Sequence, residues 1–253
     1  MQKIMGYIRK ACQEFDLIQD GDKIAVGVSG GKDSLVLLAG LAGMRRFAEF
    51  SYDIVAVTLD PGFNGQQNNY EEVAELCERL GVPFRLIHTN IGEIVFDIRK
   101  EANPCSLCAK MRRGALHDAA LAEGCNKVAL GHHKDDVIET FIMNLFKEGR
   151  IGCFSPKTYL SRKDITVIRP LVFAPEGQVI SCCKRNNLNV VKSVCPADKN
   201  TVRQQTKEFL ADMEKKDRGF KLRLFTALRK SGVNGWGYKS AEAAPAADDG
   251  LQD

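Results

Sequence analysis

Val26-Gly27-Val28-Ser29-Gly30-Gly31-Lys32-Asp33-Ser34 is the stretch on which the rest of the chain is organised. The apolar run Lys23 to Val28 predicts a buried parallel strand, and helical spacing from Leu35 to Leu41 follows at once. A glycine loop between a strand and a helix is a phosphate cradle. Gly30 and Gly31 carry no Cβ, so the backbone can take positive φ, approach a ligand closely and aim several N–H groups at one anion. Lys32 adds a full charge, Ser29 and Ser34 add hydroxyls, and the positive end of the helix dipole stands behind them. A βα turn that is merely glycine-rich does not account for so many suitable residues at one junction.

The loop is not a Walker A motif. Val26 stands where the first Gly of that motif belongs, and Asp33 replaces its hydroxyl residue. Ser29 to Ser34 instead resembles the PP-loop of the ATP pyrophosphatase superfamily, Ser-Gly-Gly-x-Asp-Ser. The resemblance implies that Ser29, Gly30, Gly31, Lys32, Asp33 and Ser34 hold the β- and γ-phosphates of ATP, with Lys32 catalytic, while AMP passes to a substrate oxygen. A loop that grips pyrophosphate is gripping a leaving group.

At 253 residues and 44% hydrophobic content the chain has ample material for a large α/β core. No apolar run approaches membrane-spanning length, and Met1 to Gln19 lacks a signal-peptide core, so a cytoplasmic protein without membrane contact is expected. Nine cysteines in a reducing compartment point to buried, catalytic or metal-bound thiols rather than disulfides. Cys12, Cys77, Cys125 and Cys153 sit in apolar contexts and read as core. The net charge of +4 understates the basic character, because Ser240 to Asp253 holds four acidic residues and no Lys or Arg, leaving +8 on residues 1 to 239. That Ala-rich tail reads as disordered. Basic residues gather at Arg99 to Arg113, Lys147 to Arg169 and Lys215 to Lys230, a distribution that suits a polyanion such as RNA.

Strands are predicted at Tyr52 to Leu59, Phe84 to His88, Lys127 to Leu130, Ile165 to Ile168 and, briefly, Asn189 to Val191. Helices are predicted at Met1 to Phe15, Asn69 to Leu80, Ile91 to Lys100, from near Ala109 to Glu123, Val137 to Phe146 and Glu176 to Arg185, with a basic helical remainder to Lys230. This alternation implies a doubly wound parallel sheet. Asp60 follows the second strand, where ligands of open α/β sheets bind, but Asp before Pro61-Gly62 is also ordinary turn chemistry. His88 reads as a strand-edge residue. After the fourth strand comes Gly131-His132-His133-Lys134-Asp135-Asp136, in which helix capping would explain one of the two Asp residues.

Cys105-x-x-Cys108 has metal or redox spacing, and a nearby helix N-terminus would lower its thiol pKa. A four-cysteine zinc module lacks its second spaced pair, because Cys182 and Cys183 are adjacent. A thioredoxin-type site lacks its position after the first strand of a small βαβ domain.

Taken in order, Cys105-Ser-Leu-Cys108, Arg112-Arg113-Gly114, Gly131-His132-His133-Lys134-Asp135-Asp136 and Ile168-Arg169-Pro170-Leu171 resemble the TtcA-type tRNA 2-thiocytidine synthetases over roughly Ile4 to Lys230. That family implies an adenine nucleotide alpha hydrolase-like (PP-loop) α/β fold with a small helical C-terminal part. It also implies a [4Fe-4S] cluster on Cys105, Cys108 and a later Cys. Cys195, in Val194-Cys195-Pro196, matches best, with Cys182 or Cys183 as the alternative. Longer members show a second Cys-x-x-Cys here, from which this chain departs. The implied chemistry adenylates the C2 oxygen of an anticodon-loop cytidine and replaces it with sulfur, using ATP, magnesium and the cluster. Catalytic roles fall to Lys32, Asp136, Cys105 and Cys108. Asp60, Gly131 and Asp135 join the loop in binding the nucleotide, and Asp136 or Asp135 orients metal or nucleotide. The implied partners are tRNA and a sulfur donor of the cysteine desulfurase class, and homodimerisation is allowed. The expected division is a nucleotide-binding domain over 1–173, a basic helical region over 174–239 and a tail over 240–253. A lysidine synthetase-like PP-loop ligase would share Ser29 to Ser34 without needing the cysteines, and a metal-stabilised RNA-binding module would need only the basic clusters.

Overall fold

The computed structural model describes residues 1–63, 68–100, 104–191, 195 and 202–237. The expected tail over 240–253 lies outside them. Six strands, β1 (Asp22–Gly27), β2 (Tyr52–Asp60), β3 (Phe84–His88), β4 (Lys127–Ala129), β5 (Lys157–Leu160) and β6 (Ile165–Ile168), form one sheet in the order β3-β2-β1-β4-β6-β5. The pairs from β3 to β6 are parallel, as the alternation predicts. The edge strand β5 is antiparallel to β6 and makes the sheet mixed. Lys157-Thr-Tyr-Leu160 is polar and partly exposed, so no apolar run announces it.

Period two explains how the sheet is buried on both faces. On β1, Ile24 and Val26 join one core and Ala25 the other; on β2, Ile54 and Ala56 divide in the same way from Val55, Val57 and Leu59. The first core is covered by α1 (Gln2–Phe15), α2 (Lys32–Met44), α3 (Glu71–Leu80), α5 (Lys134–Lys147), α6 (Glu176–Arg185), α7 (Val202–Lys216) and α8 (Phe220–Ser231). The second is covered by α4 (Pro104–Ala122), through Leu116, Ala119 and Ala120. Val179 of α6, Phe225 and Leu228 of α8, and Trp236 lie in the same buried cluster as Ile4 and Leu37, so the C-terminal helices share the core of the nucleotide domain.

Four local expectations change. The helix expected near Ala109 begins at Pro104, which puts Cys105 and Cys108 inside its first turns. The fifth helix begins at Lys134, not Val137, because His133 caps it. The segment from Ile91 is a π-helix over Glu93–Ile98. Asn189 to Val191 is not a strand; it crosses the glycine loop, and the Val191 N–H donates to the Gly30 carbonyl at 3.0 Å. A lone extended tripeptide has no neighbour to ladder with.

Chain order runs outward from β1 through β2 to β3, then returns to place β4 on the other side of β1. The strand order reverses between β1 and β4, and the loops leaving these two strands open the crevice in which ligands of such sheets bind.

Candidate active site

The loop after β1 is organised before any ligand arrives. The Ser34 hydroxyl donates to the Gly31 carbonyl at 2.8 Å and accepts the Ser29 N–H at 3.1 Å, fastening the two ends of the hexapeptide together. Gly30 has φ +79°, and a Cβ there would lie 2.7 Å from Cβ of Val191. Only glycine meets both conditions. Lys32 Nζ is 3.0 Å from Asp33 and 3.3 Å from Glu176. Burial works against its charge, and the hydrogen bonds and charges of Asp33 and Glu176 outweigh that, so its pKa lies above the ordinary lysine value. Glu176 is held in turn by Lys207 at 2.8 Å.

The loop after β4 packs directly on this cradle. A Cβ on Gly131 would stand 3.0 Å from the Asp33 carbonyl carbon and 3.1 Å from the Ser34 nitrogen, so the close approach depends on glycine. His133 and Asp136 form a reciprocal capping box for α5: the Asp136 N–H donates to His133 Nδ1 at 3.3 Å, and the His133 N–H donates to Asp136 Oδ2 at 2.9 Å. The other Asp136 oxygen accepts from Arg203 at 3.0 Å.

These loops wall a cleft of about 850 Å³ that also takes in Arg112 and Arg113 of α4, Arg150, Arg169 and Arg203. Two of the three basic clusters therefore converge on it. The third does not: Lys221 pairs with Asp135 at 3.1 Å, and Arg229 pairs with Glu14.

The expected nucleotide-site residues divide. Ser29, Asp33, Ser34, Gly131 and Asp136 line the cleft. Gly30, Gly31, Lys32, Asp60 and Asp135 are not among its walls; Lys32 turns to Asp33 and Glu176 instead. Asp60 is buried at the end of β2, where it accepts the Gly62 N–H at 3.3 Å and two Asn68 groups at 3.0 and 3.2 Å, and its Oδ2 lies 3.4 Å from His88 Nδ1. Asp135 accepts the Glu176 N–H at 2.8 Å as well as Lys221, and these partners hold its pKa below the usual carboxylate range against the effect of burial. It bolts α5 to α6 and α8.

Cys105 and Cys108 stand one turn apart at the start of α4, the first exposed and the second buried. Cys195 packs against the same small apolar group, formed by Phe63, Ile91, Val95 and Cys108. Burial pushes the Cys108 thiol up, the Arg112 guanidinium pulls it back, and Cys195 and Cys105 push it further. Cys182 and Cys183 lie elsewhere, in the main core, with their Sγ atoms against Met1 and the Leu188 carbonyl. Cys12, Cys77, Cys125 and Cys153 are buried, as their contexts predict.

Among the described residues no three Cys, His, Asp or Glu side chains close on a single metal ion. An iron-sulfur cube asks for a different arrangement, because each thiolate binds its own iron and the ligands stand apart across the cluster. Cys108 and Cys195 at one apolar group, with the exposed Cys105 one turn before Cys108 on α4, offer separate thiols of the kind that arrangement asks for.

Sequence reasoning missed Glu176, which holds Lys32 and is itself held by Lys207, and Phe154, Thr140 and Asn144 in the cleft wall. The first turn of a helix is a common place for a Glu such as Glu176, and nothing in the sequence ties it to a loop more than a hundred residues earlier.

A PP-loop domain family model matches residues 3–213. A tRNA-cytidine(32) 2-sulfurtransferase of Geobacter sulfurreducens is 38% identical over 230 residues, 90% of this chain and 89% of the relative. The protein of the same name from Syntrophotalea carbinolica is 40% identical over 217 residues, 84% of this chain and 82% of its own length. Among solved structures, the U34-tRNA thiolase NcsA from Methanococcus maripaludis, determined with its [4Fe-4S] cluster, superimposes with a TM-score of 0.73 at 26% identity, over 90% of this chain and 78% of that one. With its glycine cradle, its sulfur corner and relatives matched along nearly their whole length, the chain belongs to the PP-loop domain family and, within it, to the sequence family of the tRNA-cytidine(32) 2-sulfurtransferases.

Proposed function

We propose that this protein is an ATP-dependent tRNA sulfurtransferase that converts cytidine 32 to 2-thiocytidine, the reaction its relatives are named for. The observation that supports the reading is that Cys195 packs against the apolar group of Cys108, which with Cys105 lies at the start of the helix that also walls the nucleotide cleft. Cys108 precedes Arg112 by four residues, which puts both on one face of α4.

In this reading Ser29 to Ser34 bind the β- and γ-phosphates through loop N–H groups and hydroxyls. Lys32 leaves Asp33 and Glu176 to meet the pyrophosphate, and a magnesium ion shares that charge. The C2 oxygen of the cytosine attacks the α-phosphorus, the bond to pyrophosphate breaks, and AMP is left on the base oxygen. A sulfide equivalent then adds at C2, and AMP leaves with the original oxygen. Cys105, Cys108 and Cys195 would hold a [4Fe-4S] cluster, which when bound supplies an iron without a protein ligand that can carry sulfur. Asp136 keeps Arg203 and the α5 N-terminus in place beside the cradle. A sulfur donor of the cysteine desulfurase class, a cytoplasmic setting and a homodimer belong to the same reading; no helix among the described residues is long and apolar enough to cross a membrane.

The test is anaerobic purification followed by iron and sulfide analysis and a thiolation assay on tRNA with ATP, magnesium and a sulfur source. Brown protein that forms 2-thiocytidine is the expected result. Colourless protein that still thiolates would replace the cluster with persulfide or disulfide chemistry on the same cysteines. Colourless protein that does not thiolate but joins an amine to tRNA would return the chain to the lysidine synthetase-like class.

A further inference from the structure

The cleft runs along the C-terminal edge of the sheet, and its two ends differ. Toward β2 it is apolar, walled by Val28, Val57, Leu59, Leu116 and Leu130. Toward β6 it is walled by a stack of His132, Phe154 and Arg169. The His132 ring lies 4.8 Å from the Phe154 ring, and the Arg169 guanidinium carbon lies 5.0 Å from the same ring centre. The stack is rigid: the fully buried Trp236 donates Nε1–H to the Phe154 carbonyl at 2.8 Å, and Arg169 Nη1 donates to the Ser155 carbonyl at 2.6 Å.

Hydrogen bonds are left unmade at this end. His132 Nδ1 and Arg169 Nε are buried without a hydrogen-bond partner, and across the cleft Asp33 Oδ1 is in the same condition. Each such group costs about 1–3 kcal/mol, so their concentration on the walls of one cleft marks a place built for a ligand. Burial, with the charges of Arg169, Arg203, His133 and Arg113, depresses the His132 pKa to about 3, which keeps the ring neutral and able to lie beside cationic neighbours. Asp136 is the acidic residue of this end, and Arg203 and His133 already occupy it. Beside the rings the unpartnered groups are His132 Nδ1 and the Arg169 Nε–H donor, and the unpartnered carboxylate oxygen of Asp33 stands across the cleft.

We propose that the β6 end of the cleft seats the target pyrimidine, with Phe154 and His132 as its aromatic wall and Arg169 donating to N3 of the base. The inference rests on the tRNA-cytidine reading above and names the residues that choose the base. N3 is an acceptor in cytosine and an N–H donor in uracil, so a guanidinium there donates to the first and repels the second. N3 is also bonded to C2, so holding it fixes the atom at which oxygen is exchanged for sulfur. The apolar β2 end is left for the adenine of ATP, and the cradle after β1 lies between the two.

Two anticodon-loop RNA hairpins, identical but for C or U at position 32, test this by equilibrium binding to the full chain, with ATP affinity measured alongside. The wild type should prefer the C hairpin by at least ~10-fold, the scale of one good base-edge contact. Arg169→Gln, whose amide can donate or accept, should bring that ratio toward one while leaving ATP affinity unchanged. Phe154→Leu should weaken both hairpins by roughly 10-fold and keep their ratio, as expected for lost stacking. An unchanged ratio in an Arg169→Gln protein that still binds ATP overturns the proposal. Should that variant fail to bind ATP, Phe154→Leu decides, and undiminished hairpin affinity overturns it. Thiolation by the wild type with an unaltered ratio in Arg169→Gln would refute the seat alone. A normal ratio without thiolation would refute the sulfur-transfer reading and leave the seat standing.

Discussion

The phosphate cradle and the cysteine corner are built on opposite plans. Ser29 to Ser34 is six consecutive residues closed on itself by hydrogen bonds among Ser29, Gly31 and Ser34. Cys105 and Cys108 come from a helix start, and Cys195, 87 residues beyond Cys108, packs against the apolar group that Cys108 forms with Phe63, Ile91 and Val95. A local motif carries its geometry in its own φ/ψ preferences, whereas a dispersed one borrows geometry from the core. The cradle should therefore survive changes that destroy the corner.

The strongest test of that independence is removal of the sulfurs one at a time. Cys105→Ala, Cys108→Ala and Cys195→Ala should each bleach the protein and abolish thiolation while ATP binding stays at the wild-type level. Cys12→Ala, Cys77→Ala, Cys153→Ala, Cys182→Ala and Cys183→Ala should stay brown. Colour that persists without Cys195 but disappears without Cys182 or Cys183 would move the third ligand into the main core.

Lys32→Ala attacks the cradle and should spare the corner. AMP formation should fall by at least ~100-fold, the usual cost of losing a positioned electrostatic stabiliser, with the iron content unchanged. Near-normal turnover would show that the pyrophosphate is held elsewhere, with Lys207 as the next cation to examine.

Asp136→Asn probes the seam between the two loops of the cradle. The amide still accepts the His133 N–H, but the charge that attracts Arg203 is gone. Thiolation should drop by roughly 10-fold with a stability loss of about 1 kcal/mol, the scale of one charge-assisted hydrogen bond. Lost stability with normal turnover would confine the residue to helix capping.

The smallest effect is expected at Glu139, a buried carboxyl on α5. Burial, with repulsion from Asp136, raises its pKa to about 7, only partly countered by Arg203 and Lys207. A raised carboxyl pKa stabilises the fold at low pH, fully below the unfolded value near 4.5, and that contribution is lost as pH rises through about 7. Glu139→Gln should therefore flatten the thermal stability profile between pH 5 and 8 and gain on the order of 1 kcal/mol over the wild type at the alkaline end. Identical profiles for the two proteins would show that the carboxyl is ionised throughout.

Residues close in sequence were legible without the fold. The strand, glycine loop and helix around Ser29 to Ser34 follow from the apolar run, the two glycines and the helical spacing, because all the interactions that define them span five residues or fewer. The doubly wound core follows from strands buried on both faces and alternating with helices. The antiparallel strand β5 was not legible, because an exposed edge strand needs no apolar pattern. The partners of Asp60 and Asp135 were equally hidden: each stands at an element end that suits binding, and chain folding supplies Asn68 and His88 beside one and Lys221 beside the other. Cys195 could be matched by its flanking residues, but its place beside the Cys108 group, and that of Cys182 and Cys183 in the main core, is set by packing. Local chemistry is written in neighbouring residues; the choice among distant candidates belongs to the core, whose close packing admits one arrangement.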